Sequence, residues 1–373
     1  MATPSHFAIV IPSLNPGRDL PGYVAALRRL MGEMIVLVDD GSRDELKPIF
    51  DECANAASDV VVLRHDVNRG KGRALKTAFS YLLRTFPDIS GCVTCDSDGQ
   101  HSPQDVKRML DAIREHPGAI VLGCRSFDLS HVPWKSRFGN KWSRALFALA
   151  SGVSVTDTQT GLRALPADFM RDLLECPGER FEFETHMLLR IGGRQLVQIP
   201  IETLYVEGNS ETHFDPLNDS ARIMSIMLRA LLARIGRFGA ASVLSFLIDI
   251  GIFSALYRLL FHSGGHVAML LSVAIARSIS LVFNYWVNRR FVFNTQGANG
   301  VPIRTSFTRY LALAAAIMIA SYALTDIARV AIPAIRVEYL KAVIDLCLWL
   351  VSYGVQRALV FPAGAVKIGG GAG

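Results

Sequence analysis

The sequence predicts an α/β domain with a mostly parallel sheet, followed by an all-α domain of four membrane-spanning helices. The distribution of charge along the 373 residues supports this division. Residues 1–235 carry 27 Lys and Arg and 29 Asp and Glu, whereas residues 236–373 carry 12 and 4, so the net charges are −2 and +8. A second part that is both basic and apolar indicates a membrane with anionic lipids, and it argues against nucleic acid as a partner.

The first part alternates short β-rich runs with helical stretches. The predicted strands are Phe7–Ile11, Met34–Val38, Val60–Leu63, Gly91–Cys95 and Ile120–Gly123, and the predicted helices are 19–31, 44–58, 71–86 and 103–115. This alternation is typical of a mostly parallel sheet with helices on both faces. Ligands of such sheets bind beyond the carboxyl ends of the strands, so polar side chains at those ends are the candidates for a site.

The second part contains four apolar stretches, each long enough to cross a hydrocarbon core of about 30 Å. They are Phe238–Phe261, Val267–Val287, Tyr310–Ile332 and Tyr339–Phe361. Four such stretches with so few charges argue against the alternative, a buried helical domain of a soluble protein. Arg and Lys are more frequent beside the termini and the second loop, which predicts that these segments face the cytoplasm. The first residues lack the features of a signal peptide, so the α/β domain is expected on the same side.

The membrane part also has the pattern of a repeated helical hairpin. Arg237 and Arg309 each precede an aromatic residue and open one hairpin, and the runs 288–293 and 356–361 close the two hairpins. The opening and closing arginines are 52 and 48 residues apart. Two copies of one hairpin are the simplest interpretation.

Two charged residues within the apolar stretches occupy equivalent places in this repeat. Arg277 and Asp345 each lie 12 residues before a closing arginine. An unpaired charge at that depth costs at least about 2.5 kcal/mol. We therefore expect Arg277 to pair with Asp345, with Asp249 as a further partner. The alternative is that each charge snorkels to the membrane surface or faces a water-filled groove alone.

Apolar residues recur at helical spacing over the segment Leu217–Ile235, which joins the two parts. We interpret this segment as an amphipathic helix lying on the membrane surface, and the alternative is a core helix of the soluble domain. The predicted domains are 1–215 for the α/β domain, 216–235 for the interfacial helix, 236–363 for the four membrane helices and 364–373 for a flexible tail.

Five polar motifs follow strands of the α/β part or open its helices. They are Val38-Asp39-Asp40-Gly41-Ser42, Asn68-Arg69-Gly70-Lys71-Gly72, Asp96-Ser97-Asp98-Gly99-Gln100-His101, Asp157-Thr158-Gln159-Thr160-Gly161-Leu162-Arg163 and Phe181-Glu182-Phe183-Glu184. Two carboxylates one residue apart at a strand end suit a hard divalent cation, which would neutralise a diphosphate leaving group. An acidic turn is the alternative for that pair.

Two other motifs also have more than one interpretation. The run 68–72 is either a phosphate cradle or merely a tight turn at a helix start, and it is not the P-loop of an ATPase. Cys92 and Cys95 form a single Cys-x-x-Cys pair with no second pair or histidine cluster. We interpret these two cysteines as buried strand residues and not as zinc ligands.

Taken in this order, the motifs resemble those of the family-2 glycosyltransferases, whose GT-A fold is a Rossmann-like mixed sheet. Among them the sequence is similar to the polyprenyl-phosphate hexose synthases, over residues 6–220. The run Phe283–Phe293 resembles the GtrA-like membrane family, whose four-helix modules are associated with lipid-linked sugars. The Gln-x-x-Arg-Trp motif of processive polysaccharide synthases does not occur, which argues against a polymerase.

The resemblance implies roles for individual residues. Those implied for the nucleotide sugar are Pro12, Asn15, Asp39, Asp40, Lys71, Asp96, Gln100, Glu182 and Glu184. Those implied for Mg²⁺ or Mn²⁺ are Asp96, Asp98 and Gln100, and the catalytic residues are Asp98, Arg125 and Arg137. Glu182 and Glu184 have an equally weighted alternative, a favourable charge at a helix N-terminus. The sequence departs from the family at Leu14-Asn15-Pro16, where a Tyr-Asn-Glu-like run is usual.

The resemblance also implies a reaction. A hexose would move, with inversion, from GDP-mannose or UDP-glucose to a polyprenyl phosphate at the cytoplasmic face of a bacterial-type inner membrane. The alternative is a transporter of lipid-linked sugars whose soluble part only binds ligand. A homo-oligomer and downstream glycosyltransferases stay open as further partners.

Overall fold

The computed structural model describes residues 6–125, 144–202, 218–260, 266–293, 301–362 and 367–368. The chain divides into two compact units, the first formed by Met1–Leu228 with Ala365–Gly373 and the second by Arg229–Gly364. The first unit is an α/β domain and the second is helical. This confirms the predicted fold class.

The first unit is built on an eight-stranded mixed sheet. Its strands are β1 (His6–Ser13), β2 (Met34–Asp39), β3 (Val60–Arg64), β4 (Ile89–Thr94), β5 (Ile120–Arg125), β6 (Arg163–Pro166), β7 (Leu196–Ile201) and β8 (Lys367–Ile368). Its helices are α1 (Leu20–Met31), α2 (Lys47–Asn55), α3 (Lys71–Thr85), α4 (Pro103–Glu115), α5 (144–151), α6 (Ala167–Leu174) and α7 (Glu182–Leu189).

The strand order is β3-β2-β1-β4-β6-β5-β7-β8. The chain runs outward from β1 to β3 and then returns to form β4 on the other side of β1, so the order reverses between β1 and β4. Such a switch point leaves a crevice at the carboxyl ends of the two strands. The strand β6 is antiparallel to β4 and β5, and Arg163 at its start lies opposite Thr94 and Leu122. The chain segment that precedes β6 therefore reaches the same edge of the sheet.

The core of this unit follows from the apolar strands. Nearly every residue of β1 and β2 is buried, as expected where helices cover both faces of a sheet. Cys92 and Cys95 are buried free thiols in and just after β4. Their interpretation as buried residues is confirmed.

Four long helices follow: α8 (Asn218–Ala255), α9 (His266–Val287), α10 (Ile303–Ala331) and α11 (Val337–Val355). The stretches that are long and apolar enough to cross a membrane are Ala221–Arg258, His266–Val292, Ile303–Ala331 and Val337–Val360. The prediction of four helices long and apolar enough to cross a membrane is confirmed, although the first begins 17 residues earlier than predicted and the other ends differ by up to seven residues.

The two helical hairpins end in the same way. Each closing run forms a π-helical turn, Asn288–Val292 after α9 and Gln356–Val360 after α11. The N–H groups of Phe293 and Phe361 donate to the carbonyl five residues earlier, at 2.9 and 2.7 Å. The Asn288 side chain donates to Gln356 Oε1 at 3.2 Å, so the equivalent turns meet. These shared turns support the predicted repeat.

Two segments lie at the boundaries of the predicted domains. The helix α8 runs unbroken from Asn218 to Ala255, so the predicted interfacial segment is continuous with the first membrane stretch. No proline interrupts residues 218–255, and helix propagation is favourable once a helix has formed. Residues 367–368 form β8 and pair with β7, so this part of the predicted flexible tail has strand structure.

The expected ion pair between Arg277 and Asp345 is absent from the described residues. Arg277 Nη2 lies 3.3 Å from Asp249 Oδ2 instead. Asp345 accepts from Lys341 Nζ at 2.9 Å and from Ser321 Oγ at 2.5 Å. The prediction was right for Asp249 and wrong for Asp345, because a repeat equates the depth of two side chains but not the direction in which they point.

Candidate active site

The predicted site residues follow neighbouring strands at the carboxyl edge of the sheet. Pro12 lies near the end of β1, opposite Val38 of β2. Asp39 ends β2, and Asp96 comes two residues after the end of β4. Since β2, β1 and β4 are adjacent and parallel, these residues lie around the switch point of the sheet.

Asp96 is held between two nitrogen-bearing side chains. Its Oδ1 lies 2.6 Å from Lys71 Nζ, and its Oδ2 lies 3.3 Å from His101 Nε2. Burial by itself would raise the pKa of Asp96, but the Lys71 ammonium and His101 outweigh that effect and hold the pKa below its usual range. Asp96 is therefore an anion. A Cβ atom at Gly161 would collide with its carboxylate, so the space beside Asp96 depends on this glycine.

Lys71 links Asp96 to the late helix α7. Its Nζ lies 2.8 Å from Glu184 Oε1. Glu184 also lies 3.6 Å from Nη2 of Arg163, which is 1% exposed. Arg163 Nε donates to the Thr160 carbonyl at 2.8 Å. The resulting network of alternating charges brings together three predicted site residues, Asp96, Lys71 and Glu184. It ends at the buried side chain of Arg163.

Asp98 has a different environment from Asp96. The backbone N–H of Gln100 donates to its Oδ1 at 3.1 Å. Burial, followed by the nearby charge of Asp96, raises the pKa of Asp98. Because burial disfavours the ionised form of Asp98, a cation bound beside it would stabilise that form.

A preformed metal cage is not present in the part of the chain that the structure describes, where no three His, Cys, Asp or Glu side chains converge. Mg²⁺ and ions like it are commonly held by one or two carboxylates together with substrate phosphates and water. Asp96 and Asp98 fit that second arrangement. Lys71 is the cation that contacts Asp96 in this structure.

The Asp39 carboxylate shapes the loop after β2. It accepts from the Ser42 N–H at 2.8 Å, and Ser42 Oγ accepts from the Asn15 N–H at 2.9 Å. Asn15 Oδ1 accepts from the Arg43 N–H at 3.0 Å, and Asn15 has a positive φ of 50°. Asparagine tolerates this conformation better than most residues. The loops after β1 and β2 are thus joined at the place predicted for the nucleoside.

Asp40 holds the loop that precedes Lys71. Its oxygens accept from the N–H groups of Arg69 and Gly70 at 3.0 and 2.7 Å, and Oδ1 lies 2.7 Å from His65 Nδ1. Asp40 is 3% exposed. Its carboxylate therefore positions the run 68–72, which forms the turn at the start of α3.

Arg125, at the end of β5, pairs with a second carboxylate at this edge. Its Nε and Nη2 donate to the two oxygens of Asp157 at 2.7 and 3.2 Å, and Asp157 is 1% exposed. This two-point contact fixes the plane of the guanidinium group. Arg137, the other predicted catalytic arginine, lies outside the described residues.

The two glutamates at the start of α7 have different contacts. Glu182 Oε1 accepts from the N–H groups of Glu179 and Arg180 at 3.3 and 3.4 Å. Burial raises its pKa less than these backbone donors lower it. Glu182 thus binds the backbone of the turn that precedes its own helix, whereas Glu184 faces Lys71 within the candidate site.

Sequence reasoning assigned no role to several residues of this site. Gly161, Arg163 and Asp157 lie within a motif that was recognised, but their contacts required the antiparallel strand β6, which was not predicted. His101 lies in the same motif as Asp96, and its contact with that carboxylate depends on how the loop after β4 folds. His65 lies outside every motif, and its hydrogen bond to Asp40 could be found only from the fold.

Residues 8–172 match the family described as Glycosyl transferase family 2. Residues 237–361 match the family described as GtrA/DPMS, transmembrane domain. The two matches fall in the α/β unit and in the helical unit.

Three relatives match the first half of the chain. The undecaprenyl-phosphate mannosyltransferase of Micrococcus luteus is 32% identical over 52% of this chain and 81% of that protein. The polyprenol monophosphomannose synthase of Mycolicibacterium smegmatis is 30% identical over 52% and 75%. The UDP-N-acetylglucosamine–dolichyl-phosphate N-acetylglucosaminyltransferase of Methanococcus voltae is 28% identical over 53% and 86%. The chain therefore belongs to the polyprenyl-phosphate glycosyltransferases of family 2 and carries a GtrA/DPMS transmembrane domain after the catalytic one.

Proposed function

We propose that the protein transfers a hexose from a nucleoside diphosphate sugar to a polyprenyl phosphate, with inversion and with a divalent cation. The observation that carries this proposal is the pair Asp96 and Asp98 after β4. Asp96 lies between Lys71 and His101, and its carboxylate packs directly against Gly161. A site with carboxylates for a cation and a lysine for phosphate suits a diphosphate leaving group.

The donor would lie along the carboxyl edge of the sheet. Pro12, Asn15 and Asp39 would border the nucleoside, because the loops after β1 and β2 are joined there. Asp96, Asp98 and Gln100 would hold Mg²⁺ or Mn²⁺, which when bound neutralises charge on the departing nucleoside diphosphate.

Glu184 and Lys71 would contact the sugar and phosphate part of the donor. Their ion pair of 2.8 Å places a hydrogen-bond acceptor and a cation on one side of Asp96. A sugar presents hydroxyl donors to the carboxylate, and a phosphate presents oxygens to the ammonium group. The same pair can therefore recognise both parts of the donor.

The acceptor needs little activation. A phosphate monoester has a second pKa near 6, so a polyprenyl phosphate is largely dianionic at neutral pH. Its oxygen can displace the leaving group directly if it is held in line with the anomeric carbon and shielded from water. Arg125, oriented by Asp157, and Arg137 would hold its charge. A single displacement inverts the anomeric centre.

The sugar is the open part of the proposal. The relatives are named for mannose and for N-acetylglucosamine, and GDP-mannose and UDP-glucose are the donors proposed from the sequence. The catalytic domain and both termini would lie on the cytoplasmic side of a bacterial-type inner membrane, because nucleotide sugars are cytoplasmic and positive charges favour that side.

A donor screen tests the proposal. The purified full chain in detergent is incubated with undecaprenyl phosphate, Mg²⁺ or Mn²⁺, and GDP-mannose, UDP-glucose or UDP-N-acetylglucosamine in turn. We expect one donor to yield a glycolipid and free nucleoside diphosphate in equal amounts, and NMR of the product to show the opposite anomeric configuration. Binding of nucleotide sugar without release of nucleotide, with every donor, would contradict transfer. Retention of configuration would contradict the single displacement.

A further inference from the structure

A buried histidine outside the five sequence motifs contacts the carboxylate of Asp40. His65 follows directly after β3, and its side chain is 5% exposed. Its Nδ1 lies 2.7 Å from Asp40 Oδ1, and its Nε2 lies 3.0 Å from Thr77 Oγ1 on α3. The backbone N–H of His65 donates to the Asp39 carbonyl at 2.9 Å. The ring is therefore fixed between the end of β2 and the helix α3.

The contact between His65 and Asp40 has a defined direction. Asp40 is buried, and its oxygens accept from the backbone N–H groups of Arg69 and Gly70. The carboxylate is thus an acceptor, and His65 Nδ1 carries the proton that lies between them. A buried carboxylate needs donors to replace the water that it has lost. His65 adds a side-chain donor to the two backbone donors.

Asp40 passes this restraint on to Lys71. The Gly70 N–H, which donates to Asp40 Oδ2 at 2.7 Å, belongs to the residue directly before Lys71, where α3 begins. Lys71 Nζ in turn lies 2.6 Å from Asp96 Oδ1 and 2.8 Å from Glu184 Oε1. A rotation of the Asp40 carboxylate would therefore shift the backbone from which the lysine side chain extends.

The loop that Asp40 holds is closely packed on two sides. A Cβ atom at Gly41 would collide with the backbone of Val67, and one at Gly70 would collide with the Glu179 carbonyl oxygen. Gly70 also has a positive φ of 102°, a conformation that glycine adopts far more readily than other residues. Backbone thus lies against backbone around this loop, so a movement of the loop also moves the start of α3.

We propose that His65 is a positioning residue, which orients Asp40 and, through the loop 68–72, holds Lys71 where it binds the diphosphate of the donor. The role of Lys71 rests on the proposed function, whereas the contact of His65 with Asp40 does not. His65 itself touches neither the donor nor the acceptor. Its loss should therefore weaken the use of the donor and leave the use of the acceptor unchanged.

Hydrogen exchange tests the structural part of this proposal. In the full chain in detergent, mass spectrometry follows amide exchange in a peptide that covers residues 66–75. His65→Leu removes both contacts of the ring, so the amides that Asp40 holds should exchange about tenfold faster or more, because the carboxylate loses a charge-assisted hydrogen bond. His65→Asn keeps an N–H group near the place of Nδ1 and should retain most of the protection.

The matched control for these variants is His116→Leu. His116 lies between α4 and β5, at the opposite edge of the sheet from the candidate site, because β5 and β4 run in the same direction. This variant should match wild type in the exchange of residues 66–75 and in every measurement below.

Nucleotide binding and kinetics test the functional part. GDP and UDP, each with Mg²⁺, are titrated against the same variants by calorimetry. For the nucleotide that wild type binds, His65→Leu should raise the Kd about tenfold, and Thr77→Val, which removes only the hydroxyl at Nε2, about threefold. The KM for the active nucleotide sugar should rise by similar factors, and the KM for undecaprenyl phosphate should not change.

Failure of the proposed function would differ from failure of this proposal. If wild type binds neither nucleotide, the proposed function is contradicted together with the role of Lys71 in binding a donor, and hydrogen exchange alone decides whether His65 holds the loop. If wild type binds a nucleotide and His65→Leu matches it in exchange or in Kd, the positioning role is overturned. Equal increases in both KM values would also overturn it, because they indicate a general loss of structure. If His65→Leu does not fold, Thr77→Val decides by the same comparisons.

Discussion

At the scale of single residues, the candidate site depends on what surrounds each carboxylate. Only Ser97 separates Asp96 from Asp98. Lys71 and His101 nevertheless lower the pKa of Asp96, whereas burial raises the pKa of Asp98. The sequence could predict that both follow a strand, because the spacing Asp-x-Asp after an apolar run is visible in it. It could not predict Lys71 or Glu184 as neighbours, since these residues come from helices 25 residues before and 88 residues after Asp96.

The first prediction concerns the cation. Asp98→Asn should reduce transfer by about a hundredfold or more, because one removed charge-stabilising group commonly costs that much. Thermal stability should change little, since Asp98 is only half-buried and Asn can also accept the backbone hydrogen bond from Gln100. Chelation of wild type with EDTA should give the same loss, reversed by Mg²⁺ or Mn²⁺.

The matched control is Asp88→Asn, an exposed aspartate before the start of β4, at the opposite end of the same strand. It should transfer sugar at the wild-type rate. Full activity of wild type in excess EDTA would contradict a cation at Asp98.

The second prediction concerns the space beside Asp96. Gly161→Ala should lower kcat by about ten- to a hundredfold, because the new Cβ displaces the Asp96 carboxylate and small displacements of a catalytic group have effects of that size. Gly22→Ala is the control, since a Cβ there meets nothing within 4 Å. It should leave kcat unchanged and stabilise α1 by up to about 1 kcal/mol. Equal kcat values for the two variants would show that the position of Asp96 does not depend on Gly161.

At the scale of whole elements, periodicity predicted the strands β1 to β5 and the helices between them, because each has a strong apolar pattern. The strand β6 escaped prediction because it has four residues, and all four are buried, including an arginine. Because β6 was not predicted, the sequence alone could not place residues 157–163 beside the candidate site. The helix α8 runs through the domain boundary predicted near residue 235, and Gly236 and Gly239 do not end it.

The third prediction concerns the ion pair between α8 and α9. Arg277 Nη2 lies 3.3 Å from Asp249 Oδ2, and Ser280 Oγ also donates to Asp249 at 3.1 Å. Asp249→Ala and Arg277→Ala should each lower thermal stability in detergent. The double variant should cost less than the sum, with a coupling energy of about 0.5–3 kcal/mol.

The control cycle combines Arg277→Ala with Asp345→Ala. Asp345 is paired with Lys341, so the two effects should add. If Arg277 instead coupled with Asp345, and its effect simply added to that of Asp249, Arg277 would pair with Asp345 and not with Asp249.

At the scale of the whole molecule, the distribution of charge identified the two parts and their environments. An acidic, charge-rich α/β unit precedes a basic unit with four apolar helices, and both belong to families that the comparisons match. Composition also predicted a membrane partner, because apolar helices with excess Arg need a surface of lipid. It could not identify the sugar, which depends on a few contacts between a donor and side chains such as Glu184.

The same distribution makes a prediction about topology. Eight Arg and Lys residues flank the hairpin-closing side of the helices and four flank the other side, and positively charged loops stay in the cytoplasm during insertion. Alkaline phosphatase, which is active only outside the cytoplasm, should be active when fused after Gly264 or Ala334 and inactive after Ala298 or Gly373. Replacing Arg289, Arg290 and Arg304 by Gln should raise the activity of the fusion after Ala298, because the loop then loses the charges that retain it. The opposite pattern of activities would put the α/β unit on the side that lacks nucleotide sugars, and cytoplasmic transfer to a lipid phosphate would then be ruled out.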